Sequence, residues 1–129
     1  MTPNKNSVGW FEIPVTNMER AVKFYETVLN VKLQFMKLGP LDMSFFPFVS
    51  DGIGSGGALV LNKENYKPSK DGVLIYFTTT SGDLANELAR VKKSGGKVLQ
   101  QKKLIAKDIG YMGLFLDTEG NRVAIHSRK

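Results

Sequence analysis

Glu12-Ile13-Pro14-Val15-Thr16-Asn17-Met18-Glu19-Arg20-Ala21-Val22-Lys23-Phe24-Tyr25 is the stretch on which the fold turns, because its apolar spacing changes partway along. From Val8 to Val15 the chain is rich in aromatic and β-branched residues, which predicts a strand. From Met18 onward the apolar positions fall at Met18, Val22, Tyr25 and Val28/Leu29, the spacing of a helix. Thr16 or Asn17 stands where a cap belongs, and Glu19 completes a Thr16-x-x-Glu19 capping box. Asn30, a residue that tolerates the left-handed conformation, ends the helix.

Outward from this stretch, three short strands are expected at 32–37, 43–49 and 58–61, separated by Gly39-Pro40 and a glycine-rich turn. A polar loop over 62–71 carries Pro68 and no apolar pattern. The order then restarts. A strand over 72–79 leads to Asp83 as a cap and to Leu84, Leu88 and Val91 as a helical stripe, ended by Ser94-Gly95-Gly96. Strands at 97–103, 111–116 and 122–127 follow. Met18, Val22 and Tyr25 recur 66 positions later as Leu84, Leu88 and Val91, and Ala58 recurs as Ala124. The turn Asp51-Gly52-Ile53-Gly54 maps onto Asp117-Thr118-Glu119-Gly120 at the same offset. The chain therefore reads as a single α+β domain of two βαβββ modules, about 8–62 and 72–127, joined by a linker over 63–71. One helix covers one face of each four-stranded sheet, so the free faces should curl into a U-shaped, partly closed mixed sheet with the helices outside. A concave trough between two modules is a common place to hold a small ligand.

Composition narrows the chemistry. With 129 residues, 42% hydrophobic and 23% charged, the chain resembles an ordinary globular domain rather than a disordered, collagenous or coiled-coil one. The absence of cysteine excludes disulfides, thiolate nucleophiles and iron–sulfur ligation, and a single histidine excludes an HExxH site. The polar start Met1–Ser7 lacks the apolar core of a secretory signal and no apolar run is long enough to span a bilayer, so a cytoplasmic protein with no membrane partner is expected. The net charge of +6 is mostly scattered lysine without interleaved aromatics, which argues for solvated lysines and against a nucleic-acid partner. Arg90, Lys92 and Lys93 fall where they complement a helix C-terminus.

Glu12-Ile13-Pro14-Val15-x-x-Met18-Glu19-x-Ala21-x-x-Phe24-Tyr25 and Gly110-Tyr111-x-x-x-Phe115-x-Asp117-x-Glu119-Gly120-Asn121-Arg122, with the element order, resemble the vicinal oxygen chelate superfamily over nearly the whole chain. That superfamily includes glyoxalase I, bleomycin-resistance proteins and extradiol dioxygenases, and the chain looks most like proteins related to lactoylglutathione lyase. The resemblance implies a trough that holds a divalent metal in the catalytic members, on ligands from the first and last strand of each module. It places those positions at Trp10, Ala58, Tyr76 and Ala124, none of them a good ligand for a divalent ion. Two residues further along the same strand faces stand Glu12, Val60, Thr78 and His126. As a shifted metal pair, Glu12 and His126 would supply only two ligands where catalytic zinc sites have three, so a tight metal site is disfavoured.

Two other patterns invite a reading. Gly52-x-Gly54-x-x-Gly57 has the letters of a dinucleotide fingerprint, but it precedes an extended segment and opens no helix, so a hairpin turn is expected. Around Pro47, strand alternation sends Phe46 and Phe48 to one face and Phe45 to the other. The functional expectation is a small-molecule protein, lyase- or isomerase-like, acting on a small carbonyl or aromatic compound. Glu12 would be the general base, His126 its acid/base partner and Tyr76 a hydroxyl donor, with Trp10, Phe48, Ala58, Val60, Thr78 and Ala124 against the substrate. The alternative is a non-catalytic protein that sequesters a planar compound, as drug-binding members of the superfamily do. A homodimer is expected, with the modules paired within one chain or exchanged between two.

Overall fold

The structure, a computed structural model, describes residues 4–129, so Met1–Pro3 of the polar start lie outside the described residues. The βαβββ order occurs twice. The first sheet holds β1 (Trp10–Pro14), β2 (Gln34–Leu38), β3 (Leu41–Phe45) and β4 (Gly56–Leu61), in the order β1-β4-β3-β2. The second holds β5 (Ile75–Thr78), β6 (Lys97–Ala106), β7 (Gly110–Leu116) and β8 (Arg122–Ser127), in the order β5-β8-β7-β6. β1 runs parallel to β4 and β5 to β8, and the other pairs are antiparallel. The expected strand over 43–49 stops at Phe45, two residues before Pro47, which has no N–H for a ladder. β6 instead runs on to Ala106, past the expected end at 103.

Helix α1 (Met18–Leu29) buries Ala21, Phe24, Tyr25, Val28 and Leu29, the stripe its spacing predicts. Asn17 caps it by accepting the Arg20 N–H, and Asn30 ends it at φ 56°. The reciprocal half of the cap comes from elsewhere: Glu119 on the β7–β8 turn, not Glu19, accepts the backbone N–H groups of Thr16 at 2.8 Å and Asn17 at 2.9 Å. Helix α2 (Leu84–Val91) is capped by Asp83 and continues as a 3₁₀ turn through Ser94.

A shared core joins the helix-facing sides of both sheets to both helices. Phe11, Phe46, Phe77, Tyr25, Phe24 and Phe115 form a continuous run of rings with centroids 5.0–5.8 Å apart. Arg90 on α2 donates to the Val28 carbonyl on α1 at 2.9 and 3.1 Å, so this cation serves the neighbouring helix end. The buried Tyr25 hydroxyl donates to Asp117 at 2.6 Å, and Asn121 donates to the Pro14 carbonyl at 2.8 Å. The Phe-Tyr pair and the Asp-x-Glu-Gly-Asn turn are thus two ends of one buried connection. Among the described residues, no helix is long and apolar enough to cross a membrane.

Candidate functional site

Strand alternation leaves one face of each sheet turned away from the helices. On the first sheet it carries Trp10 and Glu12 from β1, Met43 and Phe45 from β3, and Ala58 and Val60 from β4. On the second it carries Tyr76 and Thr78 from β5, Ala124 and His126 from β8, and Met112 and Leu114 from β7.

The cross-strand register corrects the rows expected from the 66-residue offset. Tyr76 stands opposite Ala124, but Ala58 stands opposite Glu12, while Trp10 stands opposite Gly56. The same shift appears in the backbone, where the Val15 N–H bonds the Val60 carbonyl and the Thr79 N–H bonds that of His126. The cause is the loop before each helix, two residues longer between Thr79 and Asp83 than between Val15 and Asn17. The equivalent rows are therefore Glu12, Ala58, Tyr76 and Ala124, then Pro14, Val60, Thr78 and His126.

Glu12 is held on both oxygens. Tyr66 donates its hydroxyl to Oε1 at 2.7 Å and the Trp10 indole N–H donates to Oε2 at 3.3 Å. The hydrogen bond to Glu12 raises the Tyr66 hydroxyl above the ordinary phenol range, which keeps it a donor. Beside them Trp10 meets Phe45 at 5.4 Å and Phe48 edge-on at 6.4 Å. Trp10 is 38% and Phe48 57% exposed, so these rings form an open aromatic platform. Phe46 instead enters the core. Phe45 and Phe48 share the platform because alternation ends with the strand and Pro47 turns the chain. Glu12 also opens onto a cleft of about 280 Å³ shared with Lys67 of the linker and Arg122 of β8, which makes this polar end cationic.

Ala58, Val60 and Ala124, expected against a ligand, are fully buried. Phe45, Met43 and Tyr66 pack over the first two, and Ala124 lies between the larger Tyr76 and Leu114. Tyr76 and Thr78 are exposed. His126 Nε2 lies 2.7 Å from the Ile109 carbonyl oxygen, an acceptor, so this nitrogen carries a proton and Nδ1 is left for other work. Glu12 and His126 share no hydrogen bond within the chain. Tyr66 is the residue missed by sequence reasoning; its one signal was an aromatic in an otherwise polar loop.

The implied divalent metal does not fit these residues. The row Glu12, Ala58, Tyr76 and Ala124 offers one carboxylate, one phenol and two methyl groups. No group of three or more His, Cys, Asp or Glu side chains converges among the described residues.

Two βαβββ units with a carboxylate and aromatic rings on an open sheet face define a protein of the paired-module class. The chain belongs to the Glyoxalase/Bleomycin resistance protein/Dioxygenase superfamily, whose family model matches residues 7–125. It is 32% identical over 122 residues to a glyoxylase-like domain-containing protein of Didymella fabae, covering 94% of this chain and 93% of that one. Among solved structures it is similar to a glyoxalase/bleomycin resistance protein from Albidiferax ferrireducens, with TM-score 0.70, 14% identity, and 96% and 100% of the two chains covered. It is also similar to a variant of glyoxalase I from Zea mays, with TM-score 0.72, 20% identity and 93% of this chain covered. The chain spans only 46% of that maize protein.

Proposed function

We propose that this protein binds a small planar organic molecule on the Trp10–Phe45–Phe48 platform, with the polar end of the ligand directed to Glu12, Lys67 and Arg122. The observation that carries this reading is the Glu12 carboxylate, fixed by Tyr66 and Trp10 at the edge of exposed rings. Aromatic faces supply sequence-tolerant stacking, and the carboxylate accepts from a ligand hydroxyl or amine. The missing ligand set for a metal favours sequestration over metal-dependent isomerisation or dioxygenation. A second reading is proton transfer beside a carbonyl, with Glu12 as base and the Tyr66 hydroxyl as its proton partner, favoured by the 2.7 Å bond between them.

Trp10 is the only tryptophan of the chain, so its fluorescence reports directly on the platform. A panel of aromatic ketones and phenols should include compounds that quench it saturably. Phe48→Ala should weaken the best of them by about 1 kcal/mol, the worth of an aromatic pair. Glu12→Gln should weaken it about tenfold, as expected on losing a charged acceptor. Quenching that ignores both substitutions would defeat the reading. Deuterium exchange next to the carbonyl of a bound ketone, lost in Glu12→Gln, would establish proton transfer; binding without exchange leaves sequestration.

We also read the functional unit as a homodimer, because the open faces of the two sheets present exposed Trp10, Met36, Leu38, Phe48 and Tyr76.

A further inference from the structure

A second cleft, of about 680 Å³, lies on the opposite side of β1 from the platform. Its floor is the ring cluster of Phe11, Phe46 and Phe77, whose centroids are 5.3–5.7 Å apart. The three rings come from the β1, β3 and β5 regions, so this floor exists only when the two βαβββ units are packed together. Alternation along β1 is what separates the two places: Phe11 serves this cleft, while Trp10 and Glu12 serve the platform. Thr80 closes one end by donating its hydroxyl to the Leu29 carbonyl at the end of α1.

None of the described residues lining this cleft is charged, in a chain where 23% of residues are. Ser55, Tyr76 and Thr78 also border the cleft, and their side chains make no hydrogen bond among the described residues. Ile53, at the tip of the β3–β4 loop, is fully exposed and borders the cleft, next to Gly54 at φ 92°. A fully solvated isoleucine over a pit of aromatic rings gains burial when the pit is filled. The volume suits a small organic molecule. An uncharged lining penalises an ion, which would lose its water without gaining a counter-charge. We propose that the inter-module cleft floored by Phe11, Phe46 and Phe77 is a separate binding site for an uncharged aromatic molecule, capped by Ile53.

The site lies apart from the platform and, unlike the polar end there, has no charged residue among its described lining. Indole, a neutral planar probe, and indole-3-acetate, its anionic counterpart, are titrated into the full chain with methyl groups observed by NMR. Indole should shift the Val8, Ile53 and Ile75 methyls saturably, and indole-3-acetate should do so at least tenfold more weakly. Val8 and Ile53 are 59% and 102% exposed, so Val8→Arg and Ile53→Asp leave the fold intact; each should weaken indole at these methyls about tenfold. Met36 and Leu38, on the platform side of the first sheet, report separately on binding there. Shifts confined to Met36 and Leu38, no saturable shift at all, equal affinity for the two probes at the cleft methyls, or cleft affinity unchanged in both variants would each overturn the proposal.

Discussion

Gly56 and Gly57 explain why the β3–β4 connection is so rich in glycine. A Cβ on Gly57 would lie 2.3 Å from the Phe11 ring, and one on Gly56 would lie 3.0 Å from Phe48 and 3.2 Å from Trp10. Two consecutive missing side chains thus seat a ring on each face of β4: Phe11 on the core side and the Trp10–Phe48 platform on the other. The dinucleotide-like spacing arises from this packing and from the left-handed Gly54, with strand β4 rather than a helix following. Gly57→Ala should destabilise the protein by about 1–3 kcal/mol, the usual cost of overpacking, with the midpoint of urea unfolding as the measure. Indole binding at the inter-module cleft should weaken with it, because the displaced ring is part of that floor.

At the scale of the element, helix α1 depends on a residue about a hundred positions away in the chain. Burial alone would raise the Glu119 carboxyl, but Arg20, the Thr16 and Asn17 N–H groups and the Thr118 hydroxyl outweigh it and hold its pKa at about 2. The folded value lies below the ordinary 4.5, so its stabilisation is complete above that pH and disappears as pH falls through about 2. The shift corresponds to on the order of 3 kcal/mol at neutral pH. Glu119→Gln should therefore be clearly less stable than the parent at pH 6 and nearly equal to it at pH 2, as read by urea unfolding at the two pH values. An undiminished difference at pH 2 would mean that Glu119 stabilises by shape alone. Glu119 could be seen in the sequence as part of a marked turn, but its target could not. The visible box partner, Glu19, had the right local spacing; the tertiary contact supplied a buried carboxylate with an arginine beside it.

Over the whole molecule, the helix-facing sides of the sheets are used up in one core, while the outer faces remain open with large apolar side chains. Light scattering at micromolar concentration should give a mass near twice 14.3 kDa, and the mass of a single chain would refute the dimer. Met36→Lys and Leu38→Lys together, on the exposed face of β2, should shift it toward monomer. If His126 of one chain completes the Glu12 site of its partner, His126→Ala should itself weaken ligand binding, and mixing it with Glu12→Ala protein should restore part of what each has lost. Unexchanged modules would restore none.

The order of elements, the two buried helix faces and their caps, and the duplication of the βαβββ unit follow from the sequence alone. They rest on local periodicity and on residues such as Asn17, Asn30 and Asp83, whose preferences act within a few positions. Which residues face one another across the parallel strands was decided only by the tertiary structure. The two extra residues of the β5–α2 loop move Glu12 level with Tyr76, a change no offset measured on the helices can reveal. That loop is held by the buried Glu87, which accepts from the Thr79 and Ser81 hydroxyls and from the Thr80 and Ser81 N–H groups. Burial pushes the Glu87 carboxyl up, yet these donors keep it below its ordinary range. Glu87 is an acidic residue on the buried side of α2, beside the apolar stripe of Leu84, Leu88 and Val91. Its partners assemble only when the loop folds back over α2, so the register of the site is a property of that contact and not of local spacing.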